Sequence, residues 1–414
     1  MIEELWNIEN YLEAFKKIKK ASGWKTNTKN YETELVKNLH SLINSIKDNK
    51  YYPSVPTYFK YNERGKIRVI ESYCINDRLV MDVLCNKILL PRIRKYLIYD
   101  NSASLKGRGT KHFQNRLKLK YKQFLKENNS ELENPGYVLV GDYRKYFDNL
   151  GHQQFLDSLK RFKIDDQTLD FVKMLLRGHR IELNGLSKQE IEELKTATFD
   201  SVDFMLKHPE RYKTRQRYLS KEDVSNFRKK IDDLDDSHYL CKSMGIGGQL
   251  AQLAGVIGAY RIDNYCKIVK GLKYYGRYMD DFYIFGKTKE ELQIVLDGIK
   301  RECSNLGLFL NEKKTQIVKL TRGFTILKRQ YKLKDNNKIY IIPSKDRFVR
   351  ERRKIKKFRI KLEQNKMTAD DIAMSFASWR GNIISQCGIT RSLKSIETLY
   401  DKLFVEDWLH ERRE

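Results

Sequence analysis

Apolar positions recur at helical spacing over most of this chain and change to short extended runs mainly near its middle. Leu5, Ile8, Leu12 and Phe15 form one stripe, and Leu35, Leu39, Leu42 and Ile43 a second, which predicts helices over 1–50. KIRVI at 66–70 reads as a short strand. Residues 77–98, with Leu79, Val83, Leu84, Ile88 and Leu89, predict a long helix closed at Pro91 or just past it. YVLVG at 137–141 reads as a buried strand, and 152–180 returns to helix. Residues 181–240 are rich in Lys, Glu and Asp, carry few apolar anchors and read as an insertion on the periphery. Residues 249–270 predict a helix with Ala251, Ala254, Gly255, Gly258 and Ala259 on one small-residue face. KYYGRYMDDFYIFG at 273–286 places two aromatic arms around Met279-Asp280-Asp281, a β-hairpin pattern. A helix over 289–306 and two strands near 315–327 and 339–342 follow. The final helical stretch, 345–366, carries eleven Lys/Arg against three Asp/Glu, a net of +8, with Phe348, Ile355, Phe358 and Leu362 on its apolar face.

Composition narrows the function classes. Over 414 residues, 81 Lys+Arg against 54 Asp+Glu give a formal net charge of +27, a field that favours polyanionic partners. With 40% hydrophobic and 12% aromatic residues the chain buries a core, which excludes global disorder. The six cysteines are widely spaced with no C-x-x-C pair, so neither a disulfide framework nor a zinc site is expected; reduced thiols in a cytoplasm are the simplest reading. No apolar run reaches the length of a membrane span, and the acidic, amphipathic start does not fit a signal peptide.

The chemistry concentrates in carboxylates. Asp142 closes the apolar run 137–141, where an ionised group is costly unless it binds something. Asp280 and Asp281 sit between aromatic strands. Neighbours on a flat strand point to opposite faces, so a tight turn is needed to present both. If the Asp142 strand lies beside that hairpin, the carboxylates share one site, the arrangement by which proteins hold two Mg²⁺ about 3.5–4 Å apart for phosphoryl transfer.

At these residues the sequence resembles the reverse transcriptases of bacteria. YMDD at 278–281 is similar to their signature, and further likenesses run in order through about residues 55–335. These are GKIRVIESYCINDRLVMDVLCNKILLPRI (65–93), SLKGRGT (104–110), DYRKYFDNLGH (142–152), IGGQLAQ (246–252), LGLFLNEKKT (306–315) and GFTIL (323–327). The resemblance implies an α+β right-hand polymerase with fingers, a palm of antiparallel sheet plus helices, and a helical thumb. The expected division is an N-terminal helical extension (1–50), fingers (51–136), palm (137–335, with the peripheral insertion 181–240) and basic thumb (336–414). It implies Asp142, Asp280 and Asp281 as catalytic carboxylates holding two Mg²⁺, with Mn²⁺ as a substitute. Phe147 would be the steric gate against a ribose 2′-OH. Lys66 and Arg68 would contact the triphosphate, Gln252 would lie near the incoming nucleotide, and Lys314 would be the palm cation. Arg352, Arg353, Lys356 and Lys357 fit a thumb helix lying along a template–primer duplex.

One motif departs from the mobile-intron pattern. Where those enzymes have Pro-Gln-Gly, this chain has Gly-Gly-Gln-Leu-Ala-Gln. That is closer to the Gly-x-x-x-Ser-Gln form of diversity-generating retroelements and some defence enzymes, with Ala251 in place of Ser. No endonuclease, maturase or RNase H signature follows the palm, so a self-sufficient mobile element is not expected. The expected function is a cytoplasmic RNA-directed DNA polymerase making cDNA from dNTPs on a dedicated noncoding RNA, in antiphage defence. A homo-oligomer or an accessory protein stays open. Alternatives are a diversity-generating enzyme, protein-primed or untemplated synthesis on one of 25 tyrosines, and, in a different class, a non-catalytic RNA-binding scaffold. Intact carboxylates argue against the last.

Overall fold

The computed structural model describes residues 1–63, 65–128, 134–196, 199–333 and 339–406. It is an α+β protein of many helices and small antiparallel sheets. The strands are β1 (Thr57–Glu63), β2 (Lys66–Ser72), β3 (Tyr137–Asp142), β4 (Ile181–Glu182), β5 (Tyr239–Leu240), β6 (Tyr275–Tyr278), β7 (Asp281–Gly286), β8 (Gln316–Lys319), β9 (Phe324–Ile326), β10 (Arg329–Leu333) and β11 (Ile339–Pro343). The central sheet has the order β6-β7-β3-β8. The chain divides into two compact units. One holds Met1–Arg116, Gly141–Phe282 and Gln293–Thr315; the other holds Leu117–Val140, Tyr283–Leu292 and the chain from Gln316 onward.

In the first unit the N-terminal stripes form helices Ile8–Ser22, Thr26–Thr33 and Leu35–Lys47, burying Leu5, Tyr11, Phe15, Leu39, Leu42 and Ile43. The helix begun at Ile75 runs through Pro91, and its α-helical backbone ends just past it, at Ile93, as the sequence predicts. It widens into a π-turn over Leu84–Leu89, where Leu90 N–H bonds Cys85 O, and helical backbone continues to Tyr96. A wider turn relieves the clash between the proline ring and the preceding carbonyls. The predicted strand at 66–70 is one arm of a hairpin whose other arm, β1, carried no clear alternation. The two pair antiparallel from Thr57↔Ser72 to Glu63↔Lys66, and Phe59 and Tyr61 stay exposed. The helix expected over 249–270 is broken. Gln249–Ile257 ends at Gly258, Ala259 leaves helical backbone at φ −102°, ψ 21°, and Tyr260–Asn264 resumes.

Segment 181–240 is folded. β4 pairs with β5, and Leu194, Phe199 and Phe204 form a small core with Ile181, Leu183, Leu186, Tyr212 and Leu240 against it. Its helix Ser201–Lys207 packs on β2. Among the described residues no helix is long and apolar enough to cross a membrane, and all six cysteines are free thiols.

In the second unit β3 pairs antiparallel with β8, and β9, β10 and β11 form a three-stranded sheet. The sequence predicts two strands over 315–342; four form, because β10 alternates buried Arg329 and Tyr331 with partly exposed polar residues that mask its period. Helices Lys345–Glu363, Ala369–Cys387 and Arg391–Asp401 enclose Ile355, Phe376 and Ile396, with Phe376 and Tyr400 stacked at 3.9 Å. The expected boundary at 335/336 and the chain after 406 lie outside the described residues.

Gly141 positions Asp142. A Cβ at 141 would lie 2.1 Å from Phe282 Cζ, so the Phe282 ring crosses directly over the backbone preceding the carboxylate. Gly141→Ala is expected to lower stability by about 1–3 kcal/mol through overpacking. Denaturant unfolding checks this, and an unchanged midpoint would show that the close approach is dispensable.

Candidate active site

β3 delivers Asp142 to the end of an apolar strand, where it is nearly buried. Its Oδ1 accepts from Asn311 Nδ2 at 3.0 Å and its Oδ2 from Lys314 Nζ at 2.8 Å. Main-chain bonds fix the loop that supplies both. Asn311 N–H donates to Asp142 O (2.8 Å), and Arg144 N–H donates to Phe309 O (2.7 Å).

The β6–β7 turn brings the second carboxylate. Met279 takes the left-handed conformation at φ 52°, which tightens the turn and leaves Asp281 as the first residue of β7. Tyr143 N–H donates to Asp280 O at 3.1 Å, tying the turn to the residue after Asp142. Burial pushes the Asp280 carboxyl above its ordinary value, and the charge of Asp142 pushes it further. Burial alone would lower Lys314, but its bond to Asp142 and the charges of Asp142, Asp281 and Asp280 hold it above the ordinary lysine value. All three predicted carboxylates therefore act on one ammonium.

Phe147 follows a turn in which Lys145 is left-handed at φ 47° and ion-pairs with Asp200 of segment 181–240. Helix Gln249–Ile257 walls the ring. A Cβ at Gly255 would stand 3.0 Å from Phe147 Cε1 and 3.0 Å from Met279 Sδ, and Tyr146 Oη donates to Gly255 O at 2.9 Å. Gate candidate and carboxylate turn thus meet at one glycine.

The other predicted residues divide. Lys66 is exposed at the start of β2, and its charge is felt at Asp280. Arg68 is not turned over to that group: its Nε pairs with Glu63 across the hairpin at 2.9 Å. Gln252 is an exposed residue of helix Gln249–Ile257. Arg352, Arg353, Lys356 and Lys357 are exposed on helix Lys345–Glu363 of the second unit. Arg352 donates to Ser395 Oγ at 3.0 Å, and Arg352, Arg353 and Lys356 line a cavity of about 560 Å³ with Arg391.

Among the described residues no group of three or more His, Cys, Asp or Glu side chains is gathered into a finished metal cage. The donor chemistry nevertheless fits a hard divalent cation. The donors are carboxylate oxygens, and the crowding that raises Asp280 is what such a cation would relieve.

The family model described as "Reverse transcriptase (RNA-dependent DNA polymerase)" matches residues 58–329, which includes all of these carboxylates, Phe147 and Lys314. The chain belongs to the reverse transcriptase family. It is an RNA-directed DNA polymerase, a nucleotidyltransferase with a nucleic-acid template and dNTP substrates, and reverse transcriptases use divalent metal ions. No curated protein matches the chain.

Three supports of this reverse transcriptase's site escape the sequence reading. Asn311 lies inside a quoted motif, yet nothing in its spacing marks it as a partner of Asp142. His152, also inside a quoted motif, is buried and neutral: burial lowers its pKa to about 4, and its ring bonds Ser243 O at 2.7 Å. Arg277 is fully buried. Its guanidinium bonds both carboxylate oxygens of buried Asp263 (2.8 and 2.7 Å), Val256 O (2.7 Å) and Met279 O (2.9 Å). The signal was available: an arginine inside an aromatic hairpin arm has to find a buried partner. Arg277→Leu is expected to cost about 3–5 kcal/mol, since it strands the Asp263 charge. An unfolding midpoint equal to wild type would show the pair to be unimportant.

Proposed function

We propose that this reverse transcriptase is a stand-alone enzyme of the bacterial type that makes cDNA on a dedicated noncoding RNA in the cytoplasm, in antiphage defence. The observation that carries the catalytic reading is the convergence of Asp142, Asp280 and Asp281 on Lys314 beside the walled Phe147 ring. The biological reading rests on the 246–252 motif, which resembles the form found in defence enzymes. The same motif supports diversity generation as a second reading. Sequencing the nucleic acid that co-purifies with the protein separates them: one abundant noncoding RNA with its cDNA fits defence, and a mutagenised repeat copy fits diversification.

In this reading residues 51–136 are fingers, 137–335 palm and 336–414 thumb, after a helical extension over 1–50. Asp142, Asp280 and Asp281 would hold two Mg²⁺, which when bound activate a primer hydroxyl and stabilise the leaving pyrophosphate. Asn311 fixes one oxygen of Asp142, so its second oxygen and the Asp280 turn keep a set orientation. Lys314 stays protonated and carries positive charge to the reacting phosphates, and Lys66 adds a second cation where a triphosphate needs it. Arg68 reaches the same phosphates after exchanging Glu63 for them. Gln252 lies by the incoming base, and Arg352, Arg353, Lys356 and Lys357 neutralise duplex phosphates, which makes binding salt-dependent. Phe147 excludes ribonucleotides by bulk, with its ring packed close to the Gly255 backbone.

Asp280→Asn and Asp142→Asn are expected to abolish primer extension with Mg²⁺ while the proteins remain folded. Extension at the wild-type rate by either variant would remove the catalytic assignment. Phe147→Val is expected to raise the ratio of rNTP to dNTP incorporation by roughly tenfold or more, the scale of about 1–3 kcal/mol of relieved overpacking. A variant that polymerises normally and still rejects rNTPs as strongly would make Phe147 an ordinary core residue.

A further inference from the structure

Segment 181–240 closes a cavity of about 590 Å³ against the β1–β2 hairpin. One wall is aromatic. Tyr58 of β1 meets Tyr212 edge-on with centroids 4.8 Å apart, and Tyr212 meets Phe204 at 6.3 Å. Tyr58 and Tyr212 are only partly buried, and among the described residues neither hydroxyl has a hydrogen-bond partner.

Charged side chains also line the cavity, and several of them already have partners. Glu71 pairs with His179 at 3.2 Å and accepts a hydrogen bond from Tyr73. Arg180 bonds Asp236 and the carbonyls of Lys230 and Asp233, and lies 3.9 Å over the Tyr239 ring. Lys230 differs. Its ammonium makes one hydrogen bond, to Gly178 O at 3.1 Å, and among the described residues no carboxylate oxygen lies within 4.0 Å. Two of its three donors are unused. Burial, and then the charge of Arg180, lower its pKa to about 8, and the charges of Glu71 and Glu182, neither bonded to it, partly offset them, so the ammonium persists at neutral pH.

A partly buried cation with no directly bonded anion is costly, and this one lines the same cavity as Tyr58 and Tyr212. Stacking on aromatic rings beside a phosphate-binding cation is how unpaired nucleotides are held. The volume lies within the roughly 300–1,000 Å³ usual for small-ligand sites. We infer that this cavity binds one unpaired nucleotide, its phosphate on Lys230 and its base against Tyr58 and Tyr212. One chemistry covers two sources, a residue of single-stranded RNA and a free nucleotide. The site is separate from the carboxylates but adjoins them in the chain. Asp148, which lines the cavity and is hydrogen-bonded by Ser201 of the inserted segment, directly follows Phe147.

The test is hydrogen exchange and equilibrium binding on the full chain, with a ten-residue oligouridylate and with UMP as probes. Either probe is expected to protect the segments around Tyr212 and Lys230. Protection by UMP assigns a free nucleotide, and protection by the oligomer alone assigns an RNA residue. Lys230→Met, which keeps the stem and removes the charge, and Tyr212→Leu are each expected to abolish that protection and to weaken binding of the protecting probe by roughly tenfold. Absence of protection with both probes on the wild-type protein overturns the inference. So does full protection in both variants when their melting curves match wild type, and should a variant fail to fold, the wild-type exchange pattern decides. Asp280→Asn is expected to keep the protection, so failure of the polymerase reading and failure of this one are told apart.

Discussion

Asp142 and Asp280 are carboxylates that the backbone forces together. The first is carried to the end of a buried strand, and the second sits in a turn whose backbone is hydrogen-bonded to Tyr143, the residue after Asp142. Their repulsion and desolvation are a standing cost, visible in the upward push on Asp280. The surrounding side chains read as answers to it. Asn311 and Lys314 share out the two oxygens of Asp142. Lys314 is largely exposed, so water screens much of what it contributes, and the pair is a weak clamp rather than a locked one. A site held in this state is already arranged for cations and phosphates before either arrives.

Much of this was legible from residue order. Carboxylates closing an apolar run and interrupting an aromatic hairpin cannot be ordinary surface charges, and both stand where the pattern put them. The basic helix and its apolar face were equally plain, because Phe348, Ile355, Phe358 and Leu362 obey helical spacing. What spacing could not show was partnership across long loops. Asp142 and Asn311 are 169 residues apart, and only the fold joins them. Nor could it show Arg68 held by Glu63, since β1 exposes Phe59 and Tyr61 and so hides its strand period. Pro91 did mark the end of its helix to within two residues, but the π-turn that precedes the proline left no sign in the spacing.

Segment 181–240 shows how composition can mislead about packing. Its charges suggested an excursion into solvent, yet β4 and β5 pin its ends, three apolar residues make its core, and its charged side chains largely serve one another. Arg180, just before the segment, bonds three backbone carbonyls and the carboxylate of Asp236. The segment also touches the turn that presents Phe147, through Asp200 on Lys145 and Ser201 on Asp148. Changes in it therefore reach the turn that carries Phe147 without passing through the carboxylates.

Arg277 holds the carbonyl of Met279 in the carboxylate turn and that of Val256 in the helix walling Phe147, from one guanidinium fixed on Asp263. Two parts suspended from one rigid support share its jitter. A displacement of that guanidinium acts on the carboxylate turn and on the helix beside Phe147 together. A single buried ion pair thus sets the spacing between the Asp280 turn and the helix beside Phe147.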